Sequence, residues 1–411
     1  MTYGYHPQIS KWSPYHGAAY AVVESVAKIV AMGGDWQRIR FSYQEYFEKL
    51  LNDPQKWGKP MSALLGAFTA QKELELPSIG GKDSMSGTFM DIHVPPTLIS
   101  FAITTQDVSK VVTPEFKEAR HKVVEFMIAK DEFGLFNYEH LKKQYSKIHD
   151  YMADGRIISA YTVKHGGLIE AVAKMAFGNQ IGFEFDTNLS LEDLAEMNYG
   201  HIVCELDEQE ELLLGGDMRL VGYTIDEPIL IYKDEKVALE EAYTWYTQPL
   251  EEVFPTSVKA PTETMIQKDC AVRGEVHSKV YVEVPHVTIP VFPGTNCEYD
   301  SKRAFEKAGA SVELVLIRNK HEGDIERSIQ ELKEAIDRSQ IVMLPGGFSA
   351  GDEPEGSGKF IATVLRNESL KEAIHNLLHK RDGLMIGICN GFQALIKLGL
   401  LPDGEIRDMT Q

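Results

Sequence analysis

The stretch Gly383-Leu-Met-Ile-Gly-Ile-Cys-Asn-Gly-Phe-Gln-Ala-Leu-Ile-Lys-Leu398 decides how the C-terminal part of this chain folds. Leu384 to Ile388 is a nearly unbroken apolar run, the pattern of a parallel strand buried on both faces. Cys389 follows at once, and Phe392, Leu395, Ile396 and Leu400 then recur at helical spacing. A thiol between a strand end and a helix start sits in a sharp turn. There the helix dipole and unbonded backbone N–H groups favour an anion on sulfur. Gly387 and Gly391 flank Cys389 in a Gly-x-Cys-x-Gly arrangement, the cysteine form of a nucleophile elbow. A buried structural cysteine is the competing reading of any isolated Cys, but strand, glycines and helix in this order favour a nucleophile.

Working outward, Gln340-Ile-Val-Met-Leu-Pro-Gly-Gly-Phe-Ser-Ala-Gly-Asp352 is a second apolar strand ending in paired glycines. Such glycines let backbone N–H groups converge on an oxyanion. Val287 to Val291 and Val312 to Ile317 read as strands, and Asp300 to Ala308 and Asp324 to Ala335 as helices. The alternation predicts an open parallel sheet with the thiol at the strands' carboxyl ends.

Upstream, Tyr15 to Met32 carries a helical stripe of small apolar residues closed by Gly33-Gly34, and Ser62 to Leu74 reads as a second helix. Then comes Leu76-Pro-Ser-Ile-Gly-Gly-Lys-Asp-Ser-Met-Ser86. Adjacent glycines, Lys82, Asp83 and Ser84 fit a phosphate cradle with Asp83 toward a metal, although the Walker A spacing is absent. A polar turn before the strand containing Leu98 to Ile103 fits equally. Tyr138 to Ala153, Leu168 to Ala176 and Leu191 to Glu196 read as helices; Ile157–Val163, Ile202–Glu205 and Met218–Ile225 read as strands. Gly166 and Gly167 join strand to helix, either as an anion-binding helix N-terminus or as the ordinary start of a core helix. Trp245 to Pro285 is rich in Pro, Thr, Glu and Lys and reads as a linker or wrapping segment.

Composition narrows the partners. A length of 411 residues allows two or three domains, and a net charge of −19 argues against nucleic acid and anionic membrane. No apolar run reaches the length of a membrane-spanning helix. Cys204, Cys270, Cys297 and Cys389 are far apart without CxxC spacing, which argues against zinc or a disulfide framework and fits a cytoplasmic protein.

Together, Pro-Gly-Thr-Asn296, Gly-Gly-Phe-Ser-Ala-Gly-Asp352 and Gly-Ile-Cys-Asn-Gly-Phe-Gln393 resemble the class I glutamine amidotransferase domains of the phosphoribosylformylglycinamidine synthase family. Gly-Gly-Lys-Asp-Ser-Met-Ser86 is similar to a motif in the second ATP-binding half of the same enzymes. The resemblance implies a multidomain α/β and α+β chain: two-layer domains like those of aminoimidazole ribonucleotide synthetase, then a flavodoxin-like glutaminase. The expected divisions are 1–117, 118–255, a linker 256–285, and 286–411. It further implies that Cys389 attacks glutamine, that Gly347 and Asn390 hold the oxyanion, and that Gly346, Phe348 and Gln393 lie against the substrate. The expected small molecules are glutamine, ATP and formylglycinamide ribonucleotide, and the expected partners are the remaining parts of a long single chain. A free-standing cysteine hydrolase or deglycase on a flavodoxin-like sheet, and a non-catalytic brace for a glutaminase, are the alternatives.

Two departures qualify the resemblance. The family's activating His-x-Glu lies well after the cysteine, whereas here no histidine follows Cys389; His375 and His379 precede it. The chain thus reads as a fragment unable to complete the reaction alone. At the family's magnesium-nucleotide site Glu24 is kept, but Lys28 and His165 stand where Asn and Asp are expected. An ammonium cannot coordinate magnesium and imidazole is a poor ligand for it. ATP and magnesium therefore belong to the whole enzyme, Lys28 becomes a phosphate ligand or a partner of Glu24, and no cofactor is expected bound to this fragment.

Overall fold

The computed structural model describes residues 1–207, 216–257, 280–352 and 358–407. Two compact units divide the chain, Met1–Ala260 and Pro261–Gln411. Among the described residues no helix is long and apolar enough to cross a membrane.

The first unit contains two main sheets. One has the order Thr2–Gly4, Thr97–Ile103, Arg40–Tyr46, Ser78–Ser84, antiparallel except for the parallel last pair. The helices Pro14–Ala31 and Pro54–Leu74 pack together against it. The second helix begins eight residues before its expected start. Pro54 occupies its first turn and the Asp53 carboxylate accepts the Gln55 N–H at 2.9 Å, a capping signal that Gly58 and Pro60 obscured. The opening segment, which has little periodicity, forms the Thr2–Gly4 strand and the Pro7–Trp12 helix. The Gly-Gly-Lys-Asp-Ser stretch is neither cradle loop nor turn. It is an exposed edge strand, Ser78–Ser84.

The other sheet has seven strands, in the order Glu235–Ala238, Ile229–Tyr232, Gly182–Phe185, Met218–Ile225, Lys122–Phe126, Ile202–Leu206, Ile157–Thr162. The strands expected from sequence are present, joined by four others of four or five residues. The helices Tyr138–Ala153 and Gly167–Asn179 are also as expected. The two sheets fall on either side of residue 117, yet one apolar core runs through both, from Val22 and Phe41 to Phe126 and Cys204. The segment read as linker or wrapping from Trp245 starts inside the helix Leu239–Thr247, whose Tyr243 packs edge-on against Phe177. Residues 258–279, including Cys270, lie outside the described residues.

The second unit is a four-stranded parallel sheet in the order Ser311–Leu316, His286–Val291, Ile341–Leu344, Leu384–Gly387. Asp324–Arg338, Lys359–Leu365 and Asn390–Leu398 supply helical faces for its core. One sequence expectation fails here. Leu384–Gly387 is an edge strand, so it is not covered on both faces: Leu384 and Ile388 are more than half exposed, and Phe392 and Ile396 also face outward. The inward stripe of the following helix is Ala394, Leu395 and Leu398.

Candidate functional site: the thiol loop and the cavity at Glu24

Cys389 is the junction between the Leu384–Gly387 strand and the Asn390–Leu398 helix. Its backbone has φ 52° and ψ −110°, a region non-glycine residues avoid, and its side chain is exposed. The flanking glycines explain how so sharp a turn packs. A Cβ on Gly391 would lie 2.1 Å from the Leu344 carbonyl oxygen, and one on Gly387 would lie 2.7 Å from the Gly391 backbone. Only glycine lets the helix come down this close to the sheet.

The Pro-Gly-Gly loop follows the neighbouring strand, and a Cβ built on Gly346 would stand 3.4 Å from the Cys389 Cβ. The chain around Thr295 holds this loop in place by an antiparallel bridge to Gly347. Its bonds run from the Asn296 N–H to the Gly346 oxygen (3.2 Å) and from the Phe348 N–H to the Gly294 oxygen (2.8 Å). The Gly347 N–H therefore takes no part in the bridge, and Gly347 adopts φ 123°. Asn390 is buried, and its side-chain oxygen accepts the Ser349 N–H at 3.2 Å, tying loop to elbow. Its amide nitrogen donates to the Gln393 side-chain oxygen at 3.3 Å. The structure thus sets Gly346 beside Cys389 and joins the loop carrying Gly347 and Phe348 to the elbow through Asn390, which also bonds Gln393. Cys297, also exposed, feels Cys389 electrostatically. Burial, the acids Asp300 and Glu298, and Cys389 push its thiol up. Thr295 and Asn296 belong to the Pro-Gly-Thr-Asn296 motif legible in the sequence, whereas Cys297 gave no signal of its own.

Among the described residues no histidine hydrogen-bonds to Cys389. The rings of His375 and His379 meet at 4.6 Å, tilted by 41°, and line a different cavity, with His379 Nε2 3.1 Å from the Gly404 oxygen.

Two positions of the family's magnesium-nucleotide site, Glu24 and His165, lie at a cavity of about 570 Å³ in the first unit. Glu24 and His165 line it, with Tyr5, His6, Lys164 and Tyr199. Glu24 is fully engaged, with His6 Nε2 and Lys28 Nζ each 2.7 Å from one of its oxygens. Burial pushes its carboxyl up, but the hydrogen bonds and charges of His6 and Lys28 outweigh this and hold it down at about 2. The Lys28 ammonium also donates to the Tyr3 oxygen at 2.6 Å.

The glycine turn at the Gly167–Asn179 helix is likewise closed. The Gly166 N–H donates to the Glu170 carboxylate at 2.7 Å, and Lys174 pairs with the same side chain. The helix has capped itself with its own acid, so the anion site expected at Gly166 and Gly167 is filled from within. Glu170 and Lys174, four residues apart, were the legible signal for this. Lys82, Asp83 and Ser84 do not line this cavity. The residues present do not fit a magnesium-nucleotide complex: the Glu24 carboxylate is paired with the Lys28 ammonium and bonded to His6, and the Gly166 N–H is taken by Glu170.

Comparison with known proteins follows the second unit. Residues 284–411 match the CobB/CobQ-like glutamine amidotransferase domain family. The PurQ subunit of phosphoribosylformylglycinamidine synthase from Dehalococcoides mccartyi is 43% identical over 116 residues, 28% of this chain and 40% of that protein. The Roseobacter denitrificans subunit is 36% identical over 124 residues, 30% of this chain and 47% of that protein. The chain thus spans less than half the length of these relatives. Among solved structures, PurLQS from Thermotoga maritima aligns with a TM-score of 0.45 at 15% identity, covering 74% of this chain and 49% of that one. That likeness is too distant to bear on function.

Proposed function

We propose, from the premise that residues 284–411 belong to the glutamine amidotransferase family, that Cys389 is the nucleophile of a glutaminase site. The observation carrying this reading is the exposed Cys389 thiol at a strained turn, with the Pro-Gly-Gly loop beside it. Sulfur adds to the side-chain amide carbon of glutamine. The developing oxyanion is met by the Gly347 and Asn390 N–H groups, and collapse expels ammonia to leave a glutamyl thioester. Leaving-group protonation and water attack need a general acid–base that no described histidine supplies at Cys389.

The chain belongs, on this reading, to a glutamine-dependent C–N ligase of purine biosynthesis. Its ammonia replaces the formyl amide oxygen of formylglycinamide ribonucleotide, which ATP activates elsewhere in the whole enzyme. The PurQ likeness supports this reading over a free-standing cysteine hydrolase or deglycase. Glutamine protection of the thiol is the test. Glutamine should slow iodoacetamide modification of Cys389 in a saturable way, and glutamate or asparagine should not. Protection by none of the three, or equally by all, would reject a glutamine site.

A further inference from the structure

Among the described residues no three or more metal-binding side chains cluster. One carboxyl pair in the first unit nevertheless stands out: Asp83, of the stretch expected to be a phosphate cradle, and Glu45, which the sequence did not single out. Glu45 lies on the Arg40–Tyr46 strand, on the face that sends Phe41 into the core, and is only 5% exposed. The neighbouring parallel strand places Asp83 directly opposite it. Side chains alternate along a strand, so both carboxyls project from the same face, with Cβ atoms about 5 Å apart. Asp83 is exposed at the sheet's edge, whereas Glu45 is covered.

One Glu45 oxygen, Oε1, is enclosed and has no hydrogen-bond partner. Buried polar atoms are almost always satisfied, so an orphaned carboxylate oxygen calls for a missing partner. Lys56 and Lys59 both pair with Glu48, three residues further on. Tyr43, on the same face, gives its hydroxyl to Gln71. Burial first, then the charge of Asp83, pushes the Glu45 carboxyl up to about 7.

We propose that Glu45 and Asp83 together hold one divalent cation of the magnesium class at this sheet edge, with water completing its octahedron. Magnesium keeps several waters and takes one or two carboxylates, which is what a covered and an exposed acid on adjacent strands provide. The cation supplies the partner that Glu45 Oε1 lacks and offsets the repulsion between the two acids. This site is separate from the Glu24 cavity and does not depend on the glutaminase reading.

Manganese serves as the magnetic stand-in. The full chain is titrated with Mn²⁺ at pH 8, with free ion followed by electron paramagnetic resonance and Mg²⁺ added as competitor. One Mn²⁺ per chain should bind and be displaced by Mg²⁺. Affinity should fall roughly tenfold in Glu45→Gln and in Asp83→Asn. It should also fall about tenfold per pH unit below pH 7, where a proton competes for Glu45. Asp83 is exposed, so its substitution stays readable even if the buried one disturbs folding. Binding unaltered by both substitutions, or no stoichiometric binding, would overturn the proposal.

Discussion

Replacing Glu24 by Gln tests the ion cluster that closes the first unit's cavity. In the folded chain the Glu24 carboxyl titrates at about 2, against an ordinary value of 4.5. A folded value below the unfolded one means the native state favours the carboxylate. The resulting stability is fully present above about pH 4.5 and is lost as pH falls through about 2. The gap corresponds to about 3 kcal/mol at pH 7, falling to about 1 kcal/mol at pH 3. Glu24 is buried, so solvent screening does not erase this figure. The variant should therefore unfold about 3 kcal/mol more easily at pH 7, with the difference closing on acidification. Urea titration followed by tryptophan fluorescence measures this cleanly, because Trp12, Trp36, Trp57 and Trp245 all lie in the first unit. A difference that does not change between pH 7 and pH 3, or a variant more stable than the parent, would refute the argument.

Iodoacetamide with peptide mapping should label exposed Cys389 well before Cys204, which is fully buried and whose thiol burial pushes upward; faster labelling of Cys204 would remove the elbow argument. Gly391→Ala should destabilise the second unit by about 2–4 kcal/mol in thermal unfolding, because the added Cβ strikes the Leu344 backbone rather than a movable side chain. The purified chain should release no ammonia from glutamine above a Cys389→Ser control, and turnover would reveal a base not identified above. Denatured protein should yield no ADP, whatever cation the Glu45–Asp83 edge retains. One equivalent of ADP would show that Lys28 and His165 are compensated by other ligands.

Local order explains what could be read in the sequence. The elbow was legible because strand, cysteine, glycines and helix are contiguous, and the parallel sheet followed from apolar runs separated by helical periods. The Lys28–Glu24 pair was legible because four residues make one helical turn. What escaped notice depends on pairing across long separations. Lys82, Asp83 and Ser84 resemble a loop until the Arg40–Tyr46 strand pairs with them, and Glu45 gains meaning only from the register that sets Asp83 beside it. His6 reaches Glu24 from a segment with almost no apolar pattern. The Pro54–Leu74 helix also carries Trp57, Met61, Leu64 and Phe68 outward, a second apolar face that periodicity alone reads as buried.

The central claim is that Cys389 is a nucleophile in a site shaped for glutamine. A diazo-ketone analogue of glutamine tests it most directly, because alkylation needs the thiol and the substrate pocket but not the missing acid–base group. The analogue should saturate at one adduct per chain, mapped to Cys389, absent in Cys389→Ser and slowed by glutamine. Labelling spread across the exposed cysteines, or indifferent to glutamine, would contradict the account.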